Sequence, residues 1–334
     1  TKTLGVVTHP TRLISLFYNF SNSINVPDSS RRILPDGRTP PNSEARGEDF
    51  GIRFTFFDGR LSARINRYTV DMIGATGGGF GGSLDNPTGL NNRILTALEN
   101  QGLITAAEAD AREFTTNDAT IDRKLEGYEL NLTGAVTKNW RLSLNYSYSD
   151  GYDANIGPEV KAWAAVTLPW YRQYANVLTG AVGADGQLMT VGQAVAEWEA
   201  NAQELRWVRE GDLILGNRQH KGSVFTRYSL DRGPLRGLAF GGGYRYQGKA
   251  PTGFDTNNRL IYSKSQGEAD AFVNYRLRQK LGFLKSGLNL QLNIKNLLDE
   301  HDPRISTYRP DGVRPARVVV VAPRSWRLSA NFDF

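Results

Sequence analysis

No cysteine occurs anywhere in this sequence, which excludes disulfides, thiolate metal sites and cysteine nucleophiles at once. Only three histidines are present, His9, His220 and His301, so a histidine-centred site would have to be assembled from very little. No apolar run approaches the ~18 to 20 residues that a spanning helix needs, and the mean hydropathy of −0.43 resembles that of a water-soluble chain. A membrane barrel survives that test, because only alternate residues of its strands face lipid. Charge does not cluster either. A formal +6, from 40 basic and 34 acidic residues, is spread along the chain, with neither the like-charged block of a solvated tail nor the footprint of a nucleic-acid binder. The opening TKTLGVVTHPTRL lacks the basic and apolar regions of a secretory signal. Either a leader was removed, or this is not the natural start.

What the sequence has in abundance is alternation. In GLNLQLNIKNLLDE, Leu288, Leu290, Leu292 and Ile294 alternate with Asn289, Gln291, Asn293 and Lys295; RLSLNYSYSD and GLAFGGGYRYQG repeat the scheme. Period-2 alternation is the mark of a strand with one apolar face. Eleven strands are expected, near 3–9, 11–24, 47–57, 60–73, 123–136, 139–151, 217–230, 236–248, 266–278, 287–298 and 324–334. In the fourth, GRLSARINRYTVD, the phase holds through Ile65 and is lost near Arg67.

The connections decide the architecture. They run tight (around Pro10), long (25–46), tight (Asp58 and Gly59), long (74–122), tight (Thr137 and Lys138), long (152–216), tight (Asp231 to Leu235), long (249–265), short (279–286) and long (299–323). Greek-key crossovers would scramble that parity and a propeller would give it a four-strand period. Short turns alternating with long loops predict an all-β, transmembrane antiparallel β-barrel of the outer-membrane type. Trp140, Tyr148, Tyr152, Tyr246 and Trp326 near strand ends suit interfacial girdles, although ordinary packing of a tyrosine-rich β-protein is the alternative. Two loops contain helix starts at capping-box spacing, Thr105 with Glu108 and Thr190 with Gln193. The run GATGGGFGGS reads as flexible linker, since no Gly-Lys-Ser/Thr follows it.

Four segments in order are similar to TonB-dependent outer-membrane receptors, over essentially the whole chain: SEARGEDFGIRFTFFDGRLSARINRYTVD, EGYELNLTGAVTKNWRLSLNYSYSDG, LNLQLNIKNLLDE and PRSWRLSANFDF. Leu298 stands where the family usually has Phe, and Asp49 where it usually has Glu. The resemblance implies the second half, about 11 strands, of a 22-stranded plugged barrel, with the plug, the TonB box and the first strands outside this chain. It implies active uptake of a scarce ligand such as a siderophore, vitamin or glycan. Implied partners are outer-membrane lipid, the missing plug and barrel half, TonB through the missing region, and the barrel-assembly machinery, read through Trp326, Phe332 and Phe334 of the last strand. Nucleic acid is not among them.

Trp163, Trp170, Tyr171, Trp198 and Trp207 in the long loops are candidates to stack on a ligand, or else to fold the loops onto one another. Arg227, Arg245, Arg276, Arg278, Lys295 and Arg327 are candidates to line the lumen, to touch an acidic plug, or simply to be the wet face of the wall. No cofactor is expected. The one metal candidate is loop Ca²⁺ at Asp150, Asp153, Asn155 and Glu159, hard oxygen donors that turn chemistry explains equally well. An enzyme is not expected, because His301 in DEHDP has carboxylates around it but no specified partner to make it a general base. A passive pore or adhesion barrel is the alternative function.

Overall fold

The computed structural model describes residues 1–26, 34, 38–77, 87–113, 119–183, 186–204, 210–257, 259–277, 287–309 and 311–332. In chain order, β1 (Lys2–Thr8), β2 (Ile14–Asn25), β3 (Ser43–Phe56) and β4 (Leu61–Gly77) come first. Helices α1 (Pro87–Asn100) and α2 (Ala106–Asp110) then precede β5 (Ala119–Ala135) and β6 (Trp140–Ala154). A second insertion holds α3 (Pro158–Arg172), β7 (Leu178–Val182), β8 (Leu188–Thr190) and α4 (Val191–Glu204). The chain continues through β9 (His220–Ser229), β10 (Leu238–Gln247), β11 (Pro251–Phe254), β12 (Leu260–Tyr262), β13 (Gln266–Arg276) and β14 (Asn289–Lys295). It ends with β15 (Arg304–Tyr308), β16 (Pro315–Val319) and β17 (Ser325–Asn331).

All eleven expected strands form, as β1 to β6, β9, β10, β13, β14 and β17, and they make one antiparallel sheet in that order. The small hairpins β7–β8, β11–β12 and β15–β16 stand apart from it. Each wall strand therefore pairs with its neighbour in the chain, as an up-and-down barrel wall requires. The sheet is open within this chain, with β1 and β17 as its outermost strands.

Register sorts the faces, because residues directly opposite each other across antiparallel strands lie on the same side. Leu144 pairs with Leu132 and with Val224, which pairs with Tyr244. One position along, Asn145 pairs with Asn131 and with Ser223, which pairs with Arg245 and so with Glu268. One face of the wall is thus aliphatic and aromatic, the other amide, hydroxyl and charge. The apolar face is bare: Leu16 is 44% exposed and Leu328 68%. Such a continuous apolar surface needs lipid or protein against it.

The fourth strand shows why its pattern fades. Past Ile65 the apolar-face positions become Arg67, Thr69 and Asp71, still in register with β3 and β5. The alternation is lost where the strand rises beyond the apolar belt, not where the strand ends. Arg67 pairs there with Glu126 at 3.5 Å and lies over the Tyr128 ring. A lipid-facing charge costs roughly 2–4 kcal/mol at the midplane and little near the interface, so this pair marks the upper edge of the belt.

The wall is one strand thick and has little interior. The buried apolar core lies in the long insertions instead, around Ile94, Leu98, Val160, Tyr171, Val191 and Val195.

Candidate functional site

Two features dominate the long-loop end: a helical cap built from the two largest insertions, and a recess at the mouth built from the last two.

The cap begins at the ends of β5 and β6. Glu159, in the first turn of α3, accepts from the Thr120 backbone N–H at 3.0 Å and its hydroxyl at 2.7 Å. Arg123 donates to the buried Asp153 at 2.7 Å. Asp122 accepts from Gly74 N–H and from Asn155. Glu210 accepts from Lys161 and from the Ile156 N–H, and these two contacts hold its carboxyl below the usual range. Ile121 and Ile156 then pass from the wall into the apolar core of the cap.

Above them α1 presents Leu90, Ile94 and Leu98, α3 presents Val160, Leu168 and Tyr171, and α4 presents Val191, Val195 and Trp198. Tyr171 is 0% exposed and donates its hydroxyl to the Asn91 side-chain oxygen, while the Asn91 amide donates to Arg112 O at 2.8 Å. Burial pushes the Tyr171 phenol up, so it remains a neutral donor. Both expected helix starts are real. Thr105 and Glu108 cap α2 reciprocally, and Thr190 exchanges bonds with Gln193 at 2.9 and 3.2 Å.

The aromatic candidates fall into this cap. Tyr171 and Trp198 have 0% and 4% of their surface open, so their rings hold the loops together and offer a ligand almost no surface. Trp163 meets Trp198 edge to face at 5.9 Å, and Trp170 lies under the Arg112 guanidinium at 4.3 Å; both are partly buried against the core. Trp207, Arg278 and Phe334 lie outside the described residues, as does most of the glycine run. Its first residues, through Gly77, extend β4.

The three carboxylates of the calcium candidate accept from separate protein donors, while Asn155 donates its own amide. Asp150 takes the Tyr148 hydroxyl and Gln219, Asp153 takes Arg123, Glu159 takes Thr120, and Asn155 bonds Asp122. Among the described residues no cluster of three metal-ligating side chains occurs.

The mouth recess encloses about 510 Å³ between Arg218, Lys264, Gln266, Asp299, His301 and Arg304. Among the described residues Arg218 donates to the backbone carbonyls of Gly248 and Lys264. Burial and the facing Arg304 lower its affinity for its proton. Arg304 reaches Glu268 on the lumen face at 3.7 Å, which turns the β15–β16 hairpin toward the lumen. Beneath it the NLLDE segment is a knot. Asn296, 4% exposed, donates to Glu300 O at 2.8 Å and Ala322 O at 3.0 Å, while Asp299 accepts from Arg324 N–H at 2.8 Å. These bonds tie the end of β14 to the start of β17. His301 is anchored to the Asp299 carbonyl at 2.8 Å. His220 bonds Tyr146 on the apolar face, and His9 bonds Ser15 at 2.9 Å.

Arg227, Arg245, Lys295 and Arg327 lie on the polar face, with Arg276 at the end of β13. Arg245 is neutralised by Glu268 at 2.8 Å and Asp270 at 3.1 Å. A second network joins Asp49 to Arg64 at 3.0 Å and to Asn66 at 2.8 Å. Gly51 opposite leaves room for Asn66: a Cβ on Gly51 would collide with the Ile65 carbonyl oxygen and come within 2.7 Å of the Asn66 Cβ. Trp140, Tyr246 and Trp326 project from the apolar face at 39%, 39% and 76% exposure. Tyr148 and Tyr152 share that face at its long-loop end.

A barrel-wall sheet, alternating turns and one lipid-like face narrow the possibilities to an outer-membrane protein, and the family model described as TonB dependent receptor-like, beta-barrel, matches residues 2–297. The chain belongs to the TonB-dependent receptor β-barrel family. Solved structures agree on the fold. The ferripyoverdine receptor of the Pseudomonas aeruginosa outer membrane, bound to ferripyoverdine, aligns with TM-score 0.57 and 16% identity over 99% of this chain and 32% of that one. The ferric-catecholate import receptor Fiu of E. coli K12, closed form, gives 0.55 and 16% over 99% and 34%. The siderophore receptor PiuA of Acinetobacter baumannii gives 0.54 and 17% over 99% and 35%. Among curated proteins no sequence matches. This TonB-dependent receptor chain thus spans about a third of the length of the solved chains it resembles, and it forms outer-membrane barrel wall with extracellular loops. The solved relatives named are described as receptors, one of them an import receptor.

Proposed function

We propose that the receptor built on this wall is an active importer, taking up a scarce ligand of the siderophore kind from outside the cell. A domain N-terminal to this chain fills its lumen, and TonB, contacted through that domain, supplies the work. The observation that carries this reading is the division of the chain. A wall with a polar lumen face is joined at its long-loop end to a packed cap and a charged recess of about 510 Å³, which suits capture at the mouth followed by passage through a wet interior. To Trp163 and Trp170, which keep part of their ring surface open, and to Arg218 and Arg304 of the recess, this reading assigns contact with the ligand. The last strand, with Trp326, Leu328 and Ala330 on its lipid face, supports recognition by the barrel-assembly machinery, with Phe332 and Phe334 completing the signal.

The test is uptake of iron-55 chelates by cells expressing the full-length receptor under iron limitation, with and without dissipation of the proton gradient. Energised accumulation that collapses with the gradient is the expected result. Uptake that persists without it, together with steady conductance in planar bilayers, would establish a passive pore instead.

A further inference from the structure

The lumen face carries a charge imbalance on its short-turn side. One row of paired residues runs Arg141, Arg227, Gly241, Phe272, Asn293, Arg327 across six strands. The next rows toward the turns hold Ser229, Ala239, Asn274, Gln291 and Ser329, then Arg276, Asn289 and Asn331. Four arginines face the lumen there without one carboxylate among them, and two, Arg141 and Arg227, are directly opposite each other. Like charges so placed repel. Among the described residues none of the four forms an ion pair; on the same face Asp49, Asp153, Glu268 and Asp270 are matched to other arginines, and Glu129 accepts from Asn66 at 3.4 Å. The turn carboxylate Asp231 is engaged by Asn139 and Lys138. Arg227 and Arg276 also line a recess of about 480 Å³ with Asn274, Asn289, Gln291 and Asn331, over the ring of Phe272.

We propose that these arginines are the seat of an acidic polypeptide segment that occupies the lumen, its carboxylates paired with Arg227 and Arg276 and its backbone met by the amides. The segment comes from the part of the receptor outside this chain, whose solved relatives are about three times as long. Guanidinium forks suit carboxylates bidentately, and Asn and Gln side chains can serve both backbone donors and acceptors. A permanent repulsion between paired strands calls for a permanent counter-charge, which favours polypeptide over a ligand in transit. The inference rests on the reading that a domain fills the lumen.

The experiment places the photo-cross-linker p-benzoylphenylalanine at Gln291, and separately at Asn131 of the same face, in the full-length receptor in outer membranes. Expected is a cross-link from Gln291 to an upstream peptide bearing Asp or Glu, its yield falling at least tenfold in Arg227→Gln/Arg276→Gln while heat-modifiable migration persists. Reversing the captured carboxylate to Arg together with Arg227→Glu should restore it. A cross-linked peptide without acidic residues, or a yield indifferent to the double substitution, overturns the proposal. So does suppression of the Gln291 cross-link by millimolar citrate with Arg227 and Arg276 intact, since the site then belongs to a small anion. Cross-linking at Asn131 but not at Gln291 refutes this seat alone. Absence at both positions refutes the filled lumen itself.

Discussion

Replacing Trp198 by alanine separates the two roles open to a loop aromatic. The indole is 4% exposed, packs edge to face on Trp163 and belongs to the core shared by α1, α3 and α4. Truncating a buried Trp costs about 3–5 kcal/mol, of which the ring pair accounts for ~0.5–1.5 kcal/mol. At 1.36 kcal/mol per factor of ten, the open population of the cap should rise by roughly two to nearly four orders of magnitude. Because wall strands draw their stability from their own ladders and from lipid, the loss should stay local. Hydrogen exchange on the full-length receptor in bilayers is the assay. Amides of α1, α3 and α4 should lose protection by that factor, while β3, β10 and β13 keep theirs. Val166→Ala, on the neighbouring α3 but 76% exposed, should change protection by less than about 0.5 kcal/mol. An unchanged cap in Trp198→Ala would refute the core assignment, above all if ligand binding were lost with it.

Four other outcomes follow from the same geometry. Leu144→Arg, near mid-height on the lipid face, should cost ~2–4 kcal/mol in urea unfolding from bilayers, whereas Ser143→Arg on the lumen face should be nearly silent; equal costs would reverse the facing. Gly51→Ala should strain the wall by about 1–3 kcal/mol, seen as slowed assembly into the heat-modifiable form, because its Cβ would meet Asn66 at 2.7 Å. Thr105→Ala should destabilise α2 by ~1 kcal/mol, raising exchange at Glu108 and Ala109 but leaving α4 unchanged. Asp311 accepts from the backbone N–H groups of Arg314 and Val313 at 2.9 Å each, which lowers its carboxyl to about 2. A depressed carboxyl stabilises above its unfolded value of ~3.9 and stops doing so as pH falls through the folded value. Loosening of the β15–β16 tip between about pH 4 and 2, followed by nuclear magnetic resonance of Val313 and Arg314, is therefore expected; a tip indifferent to that range would refute the assignment.

The wall was legible because its physics is one-dimensional. A strand with lipid on one side and water on the other writes its two environments into alternate residues, so eleven strands could be read before any contact was known. Where the reading faltered, near Arg67, the strand had left the belt and both faces had become wet. The cap was legible only in part. Thr105–Glu108 and Thr190–Gln193 announced their helices through capping, whereas α1 was passed over despite Pro87 at its first position and Leu90, Ile94 and Leu98 four residues apart. Pro169 obscured α3, since a proline in that place ordinarily ends a helix, and its aromatics drew attention as ligand contacts. The NLLDE segment was visible as a motif without a reason; the reason is the bonding of Asn296 to Ala322 and of Asp299 to Arg324.

The mouth recess could not have been read at all. Its walls come from the start of β9, the end of the β11–β12 insertion and the first residues after β14, segments whose spacing along the chain carries no period. Proximity there is created by closing long loops, and loop closure depends only weakly on loop length, so sequence distance does not constrain which loops meet. The wall varies little in kind because alternation alone satisfies it. A mouth assembled from discontinuous loops can change its lining without disturbing any strand, so on the import reading proposed above ligand choice falls to the segments where sequence pattern says least.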